Sequence, residues 1–195
     1  MVLIKTQFIL KFQKMSNIDN YKNIRATFDK DTIIVYQAYN DKIADEAVKL
    51  QKFGNEFSFR RMTWIKPSFL WIMERSNWAN KTNQNRILEI HITRTFWDKC
   101  LELAIDTDTS KSHGNVEDAQ ILVQWDPERT LRGAKLNIRS IQIGVSSQLI
   151  HEYNDNIKKI VDLTEKVKKM YILNTQGKFD KTTQLLPNIK EYKAV

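Results

Sequence analysis

The sequence predicts an α+β fold in a single domain, with a mixed or antiparallel sheet packed against several helices and a C-terminal helical segment. The chain has 195 residues, of which 42% are hydrophobic, and this suits one domain with a substantial core. Strand-like segments at 32–39, 87–93, 119–125 and 136–145 are neither all joined by hairpins nor regularly separated by helices. This irregular order favours α+β over a regular alternation of strands and helices.

The most apolar strand pattern covers Thr32–Tyr39, where most residues are β-branched or aromatic. This composition predicts a central strand buried on both faces. Asn40 or Asp41 can cap a following helix, whose apolar residues recur at three- and four-residue spacing until Gly54 ends it. A strand followed directly by a helix is therefore expected here.

A second helix is expected at Pro67, because the missing N–H of proline is tolerated in the first helical turn. Trp71 and Trp78 are seven residues apart, which predicts that they share one face of this helix. Residues 87–93 alternate between apolar and polar side chains, as in a strand with one wet face. A helix is expected to follow over residues 95–105.

The C-terminal half begins with a polar stretch, residues 106–118, which is expected to form an exposed, mobile loop. Two strands are expected after it, at 119–125 and 136–145. The block Asp126-Pro127-Glu128-Arg129 and a turn at Gly133 are expected to join them.

Helical patterns dominate the chain after these strands. Ser146 or Ser147 is expected to cap one long helix that reaches Val161, and a second helix is expected to run to about Leu173. A last helical turn is expected before Pro187.

The chain carries a formal charge of +8, which favours polyanionic partners over neutral ones. The alternative is a solvated basic surface with no specific partner. A lone cysteine, Cys100, excludes an intramolecular disulfide and indicates a reducing compartment. No apolar run approaches the ~20 residues of a membrane-spanning helix, so no transmembrane segment is predicted. We expect an intracellular, cytoplasmic location, with a mitochondrial location as the alternative.

The Asp126–Arg129 block is the first candidate for catalysis. Asp126 or Glu128 could act as a general base or orient a ribose hydroxyl, while Arg129 could bind a phosphate. The alternative is a simple turn, capped by Asp126, in which Arg129 pairs with a carboxylate.

His91 is the other catalytic candidate, because it shares a strand face with Glu89 two residues away. A neighbouring carboxylate can raise the pKa of an imidazole into a catalytically useful range. The alternative is that both side chains belong to the wet face of an edge strand. His91, His113 and His151 are far apart in sequence, so no metal site is expected.

Basic residues interleaved with aromatic residues form the main binding candidate. The basic members are Arg25, Arg60, Arg61, Lys66, Arg75 and Arg139, and the aromatic members are Phe28, Tyr36, Trp64 and Trp71. Such a mixture suits phosphate contact combined with base stacking, in a nucleotide or in single-stranded RNA. The alternative is a set of core aromatics covered by the stems of basic side chains.

Arg25 and Arg139 are the expected centre of that candidate, because a guanidinium in an apolar strand needs a partner or a ligand. We expect both guanidinium groups to open into one concave pocket and to bind a phosphate. Lys66 or Arg129 is expected at the rim of this pocket, beside Trp64. Asp126 or Glu128 is expected within reach of it.

Five short blocks combine Trp, Arg, Asp, Pro or Gly with apolar residues, at 24–29, 61–71, 88–94, 123–129 and 139–144. In this order and with these spacings, they resemble the DUF4291 family of small uncharacterised proteins. The resemblance runs from Ile24 to Pro187. It divides the chain into a basic N-terminal extension (1–23), a family domain (24–187) and a tail (188–195). The family name implies kinship and assigns no reaction.

Binding of a nucleotide, or of the phosphate and ribose of RNA, in a basic aromatic-lined cleft is the function expected from these residues. One alternative is a non-enzymatic accessory subunit, held in a larger assembly by its basic face and its N-terminal extension. The order of a strand with Arg25 and a late strand with Arg139 and Ser140 also resembles the ADP-ribosyltransferase layout, which implies NAD as the ligand. The Ser-Thr-Ser and Glu-x-Glu strings of those enzymes are absent, and whether the protein is an enzyme stays open.

Overall fold

The computed structural model of the chain describes residues 22–108 and 118–194. These residues form six helices and nine strands, which confirms the α+β fold class. The helices are α1 (Asp41–Leu50), α2 (Phe69–Ser76), α3 (Arg94–Leu103), α4 (Ile150–Asp155), α5 (Thr164–Thr175) and α6 (Phe179–Thr183). The strands are β1 (Arg25–Ala26), β2 (Thr32–Tyr39), β3 (Thr63–Ile65), β4 (Arg86–Thr93), β5 (Ala104–Asp106), β6 (Ile121–Arg129), β7 (Lys135–Val145), β8 (Ile157–Asp162) and β9 (Lys190–Glu191).

The strands belong to three sheets, whose orders are β2-β4-β8, β3-β7-β6-β5 and β1-β9. All neighbouring pairs are antiparallel except β5 and β6, so the sheets are mixed or antiparallel, as predicted. The prediction that Thr32–Tyr39 is a central strand is wrong, because β4 lies at the centre of its sheet and β2 at one side. The other edge of β2 approaches β3 through a bridge between Tyr36 and Lys66. The apolar composition of β2 reflects burial of its two faces and does not require a central position in the sheet.

Two hydrophobic clusters form the core. The larger one joins the two main sheets to α3 and includes Ile33, Ile90, Trp97, Ile143 and Tyr153. The smaller one lies under α2 and α5 and includes Tyr36, Phe69, Met73, Ile87 and Val167. Successive residues of β2 therefore contribute to different clusters, as the two-residue period of a strand requires.

The first three helices begin at side-chain caps, each accepting a hydrogen bond from a backbone N–H three residues later. These caps are Asn40, Ser68 and Thr93. Pro67 thus lies just before the cap of α2 instead of in its first turn. Gln51, in a left-handed conformation with φ of 56°, ends α1 before Gly54 is reached.

The predicted shared face of Trp71 and Trp78 is wrong, because α2 ends at Ser76. The next residues, Asn77, Trp78 and Ala79, all have positive φ values, of 49°, 53° and 65°. The chain therefore leaves the helix before Trp78, and the seven-residue spacing no longer relates the two indoles.

The predicted turn at Asp126–Arg129 is also wrong, because β6 continues through this block. Pro127 lies opposite Arg139, next to a register irregularity, where a missing N–H is tolerated. The chain reverses at residues 130–134, where Gly133 adopts a φ of +79°.

The single long helix predicted up to Val161 is instead a short helix followed by a strand. α4 ends at Asp155, and β8 begins at Ile157 and pairs with β4. The spacing of Ile157 and Ile160 suits a helix equally well, so pairing with β4 decides the outcome.

Two predictions lie largely outside the described residues. Most of the expected loop at 106–118 and most of the N-terminal extension at 1–23 belong to the parts that are not described. In the described parts of the chain, no helix combines the length and apolar character needed to cross a membrane.

Candidate functional site

A cavity of about 560 Å³ opens where β2, β3, β6, β7 and α2 meet. Its lining includes two indoles, four glutamine side chains, three basic side chains and one carboxylate. These residues are Trp64, Trp71, Gln37, Gln84, Gln124, Gln142, Arg61, Lys66, Arg75 and Asp126. The cavity is therefore aromatic and polar, with an excess of positive charge.

The polar wall of the cavity is one face of the β6–β7 pair. Gln124 and Asp126 lie opposite Gln142 and Ser140 in register. Neighbouring residues such as Val123 and Ile143 belong to the hydrophobic core, so the strand alternation separates a wet face from a dry one.

Lys66 and Asp126 form an ion pair at this wall. The Nζ atom of Lys66 lies 2.8 Å from Oδ2 of Asp126, and the lysine side chain is only 1% exposed while the aspartate is 29% exposed. Burial lowers the pKa of Lys66 to about 8, although the attraction of Asp126 opposes this shift. The lysine is therefore a largely buried cation at the base of the wall, and the aspartate is the more exposed member of the pair.

The two indoles lie at different places on the wall. Trp64 covers Gly144, where an added Cβ would lie 3.0 Å from the indole ring, so only glycine leaves this position uncrowded. Trp71 receives the Lys66 ammonium 4.2 Å from its ring centroid. One face of Trp71 is thus already occupied by a cation.

Gln37 connects β2, β3 and α4 beneath the cavity. Its Nε2 atom donates to Thr63 Oγ1 and to the Trp64 carbonyl, each at 2.9 Å, and its Oε1 atom accepts from the Tyr153 hydroxyl at 2.8 Å. Because these bonds link segments far apart in sequence, Gln37 holds the strand that carries Trp64 in position.

We expect Tyr153→Phe to lower the free energy of unfolding by about 2 kcal/mol, because it leaves the buried Gln37 carbonyl oxygen without a donor. Urea denaturation would measure this loss. Tyr171→Phe is the control, since no hydrogen bond joins the Tyr171 hydroxyl to another described residue. Equal stability of the two variants would contradict a supporting role for Gln37.

The structure brings together three of the predicted site residues in the cavity lining: Trp64, Lys66 and Asp126. Glu128 lies nearby and accepts a hydrogen bond of 2.7 Å from the hydroxyl of Ser68. Arg129 donates to the Gly133 carbonyl at 3.0 Å, so it lies at the β6–β7 turn beyond the cavity lining.

Arg25 and Arg139 are placed elsewhere. Arg139 belongs to the β7 face opposite to that of Gln142, and its Nη1 atom donates to the Trp125 carbonyl at 2.8 Å. Arg25 in turn donates from Nη2 to the Arg139 carbonyl at 2.9 Å. The two arginines are therefore neighbours, but the strand alternation separates Arg139 from Asp126.

His91 is paired with Glu89 at 3.0 Å on β4, as the alternating pattern predicts. Neither side chain belongs to the cavity lining. Since β4 is the central strand of its sheet, the edge-strand alternative for this pair is wrong.

Sequence reasoning included Arg61 and Arg75 among the basic candidates but missed the glutamines. The available signal is the alternation of Gln124 and Asp126 with apolar residues in β6, and the isolated polar Gln142 within an apolar β7 segment. A polar residue at every second position of a strand marks a wet face, but it does not show that this face lines a cavity.

Neither a metal site nor a reactive cysteine is found among residues 22–108 and 118–194. No group of three or more His, Cys, Asp or Glu side chains there could hold a metal ion. Cys100 is buried, and burial raises the pKa of its thiol well above the ordinary value, so the thiolate is disfavoured.

Comparison with known proteins gives one finding. The model of a family described as a domain of unknown function (DUF4291) matches residues 23–192 of the chain. No curated protein shows a significant match.

Proposed function

Since the chain belongs to the DUF4291 family, whose description names no activity, we propose a function from the cavity itself: it binds a nucleotide. The observation that carries this proposal is the joint presence of an indole, spare amide groups, a carboxylate and two exposed arginines around one cavity. Each of these groups suits a different part of a nucleotide. A ligand with one kind of binding group, such as a metal ion, would not contact all of them.

The size of the cavity supports a ligand of this class. Its volume of about 560 Å³ lies within the range of about 300–1,000 Å³ that is usual for small-molecule sites. The base is the part that suits Trp64, because a planar ring gains stacking energy against an indole.

The phosphate is the part that suits Arg61 and Arg75. Both side chains line the cavity and are exposed, and neither forms a salt bridge with a described residue. A guanidinium with no carboxylate partner keeps all its N–H donors for the oxygens of a phosphate. These two residues therefore replace Arg25 and Arg139 as the proposed phosphate ligands.

The ribose is the part that suits Asp126. One carboxylate oxygen accepts from Lys66, and a carboxylate has further lone pairs that can accept a hydroxyl. The buried lysine orients Asp126 through their hydrogen bond of 2.8 Å, so the hydroxyl acceptor is already in place before a ligand arrives.

We expect Arg61→Ala to weaken binding of a nucleoside monophosphate about tenfold, the effect of losing one charge-assisted contact. Isothermal titration calorimetry with mononucleotides and NAD would measure the Kd values. NAD is included because it would also test the ADP-ribosyltransferase alternative. The control is Arg60→Ala, which removes the same charge from an exposed neighbour outside the cavity lining.

Equal weakening by the Arg60 and Arg61 variants would show that only the general positive charge of the surface matters. Binding of inorganic phosphate with the same affinity as a nucleotide would show that the indole and amide groups make no contact. Absence of any nucleotide binding would overturn the proposal and favour the accessory-subunit interpretation.

A further inference from the structure

The four glutamines of the cavity differ in how much of their hydrogen-bonding capacity the protein already uses. Gln37 donates twice and accepts once within the protein, so its amide is committed to the fold. A glutamine amide offers two N–H donors and a carbonyl oxygen with two lone pairs. The remaining three glutamines retain much of this capacity.

Gln124 and Gln142 are joined to each other by a single bond, in which Nε2 of Gln142 donates to Oε1 of Gln124 at 3.2 Å. No other bond to a described residue engages these amides. The groups that stay available are therefore two donors on Gln124, and one donor and the carbonyl oxygen on Gln142. Gln142 is 9% exposed and Gln124 is half-buried, and both line the cavity. A ligand edge that supplies both a donor and an acceptor can therefore pair with their open groups.

Gln84 also belongs to the cavity lining, and no residue in the described parts of the chain donates to its Oε1 atom. This oxygen is buried from solvent, so a ligand in the cavity does not reach it in this side-chain position. The base edge is therefore assigned to Gln124 and Gln142, whose open groups include both donors and an acceptor.

The position of Trp64 relates these amides to the stacked ring. Trp64 lies opposite Gly144 in register, two residues along β7 from Gln142 and on the same face. Trp64 and the Gln124–Gln142 pair are therefore neighbours on one face of the sheet, and a base stacked on the indole can present its edge to this pair.

Resting on the nucleotide site proposed above, we propose that Gln124 and Gln142 read the edge of the base and select adenine. A glutamine amide presents a donor and an acceptor side by side, and this matches the amino group and adjacent ring nitrogen of adenine. Guanine is matched best by Arg or Lys, and the arginines of this cavity are assigned to the phosphate.

Adenosine and inosine monophosphates form the sharpest pair of probes, because they differ chiefly in the amino or oxo group at position 6. We expect the wild-type protein to bind adenosine monophosphate about tenfold more tightly than inosine monophosphate. The Gln124→Met, Gln142→Met double variant keeps side-chain volume, and we expect it to bind both probes with nearly equal Kd. Gln120→Met, an exposed glutamine outside the cavity lining, is the control and should keep the wild-type ratio.

The wild-type ratio tests the proposal even if the double variant does not fold. A ratio near one, or a preference for inosine monophosphate, would overturn adenine selection while leaving nucleotide binding intact. A tenfold ratio that the folded double variant retains would overturn the role of the glutamine pair. Failure of both probes to bind would overturn the underlying nucleotide proposal as well.

Discussion

Asp126→Asn is expected to lower the free energy of unfolding by about 3–5 kcal/mol at pH 7. The reason is that the variant leaves the Lys66 ammonium, which is only 1% exposed, without its anionic partner at 2.8 Å. Breaking one side of a buried pair leaves a charge that neither water nor protein compensates. Urea denaturation followed by circular dichroism would measure the loss.

The same pair predicts the direction of a pH effect. The pKa of Lys66 is lowered from 10.5 to about 8 in the folded protein. Between pH 8 and 10.5 the unfolded chain therefore binds more protons at this lysine, so its contribution to stability rises with pH in that window and is constant below it. Without the attraction of Asp126 the pKa of Lys66 falls further, so the loss caused by Asp126→Asn should shrink as the pH rises toward 8 and stay small above it, where Lys66 is neutral in both proteins.

The Lys66→Met, Asp126→Asn double variant is the matched control, because it removes the titrating group together with its partner. Its stability should lack the rise that is expected of the wild-type protein between pH 8 and 10.5. A pH-independent loss in Asp126→Asn would contradict the assignment of the effect to the lysine charge.

Trp97→Ala is expected to lower the free energy of unfolding by about 3–5 kcal/mol, the usual cost of emptying a large buried aromatic site. Trp97 is fully buried on α3 and belongs to the larger core cluster. Its ring also meets that of Tyr192 in an edge-on contact, with centroids 6.3 Å apart, so the loss extends to the C-terminal β9 region.

Trp97→Phe is the milder variant, because it keeps an aromatic ring in most of the space that alanine would leave empty. The indole Nε1 atom is buried, and none of the residues in the described ranges pairs with it, so replacing indole by phenyl sacrifices no hydrogen bond there. We expect the phenylalanine variant to retain most of the stability in the same urea experiment. An alanine variant as stable as wild type would mean that α3 does not anchor the core.

The site was only partly predictable from the sequence. Lys66, Trp64 and Asp126 were chosen for their chemistry, and they line the cavity. The expected grouping of Arg139 with Asp126 did not follow, because β6 continues through Asp126 and strand alternation then puts the two side chains on opposite faces. In a turn at Asp126, strand alternation would not have kept the two side chains apart. The wrong prediction for this one element therefore changed the set of residues expected in the pocket.

The sequence by itself determined the family, the α+β class, the polar alternation of β6 and the approximate positions of most elements. These properties depend on residues that are close together in sequence. Examples are the helix cap at Asn40 and the two-residue period of β4. Tertiary structure alone decided that residues 157–162 form a strand and that β4 is central, since pairing energy with a distant strand outweighs local preference. It also created the cavity, whose ion pair joins residues 60 positions apart, a distance over which no local pattern carries information.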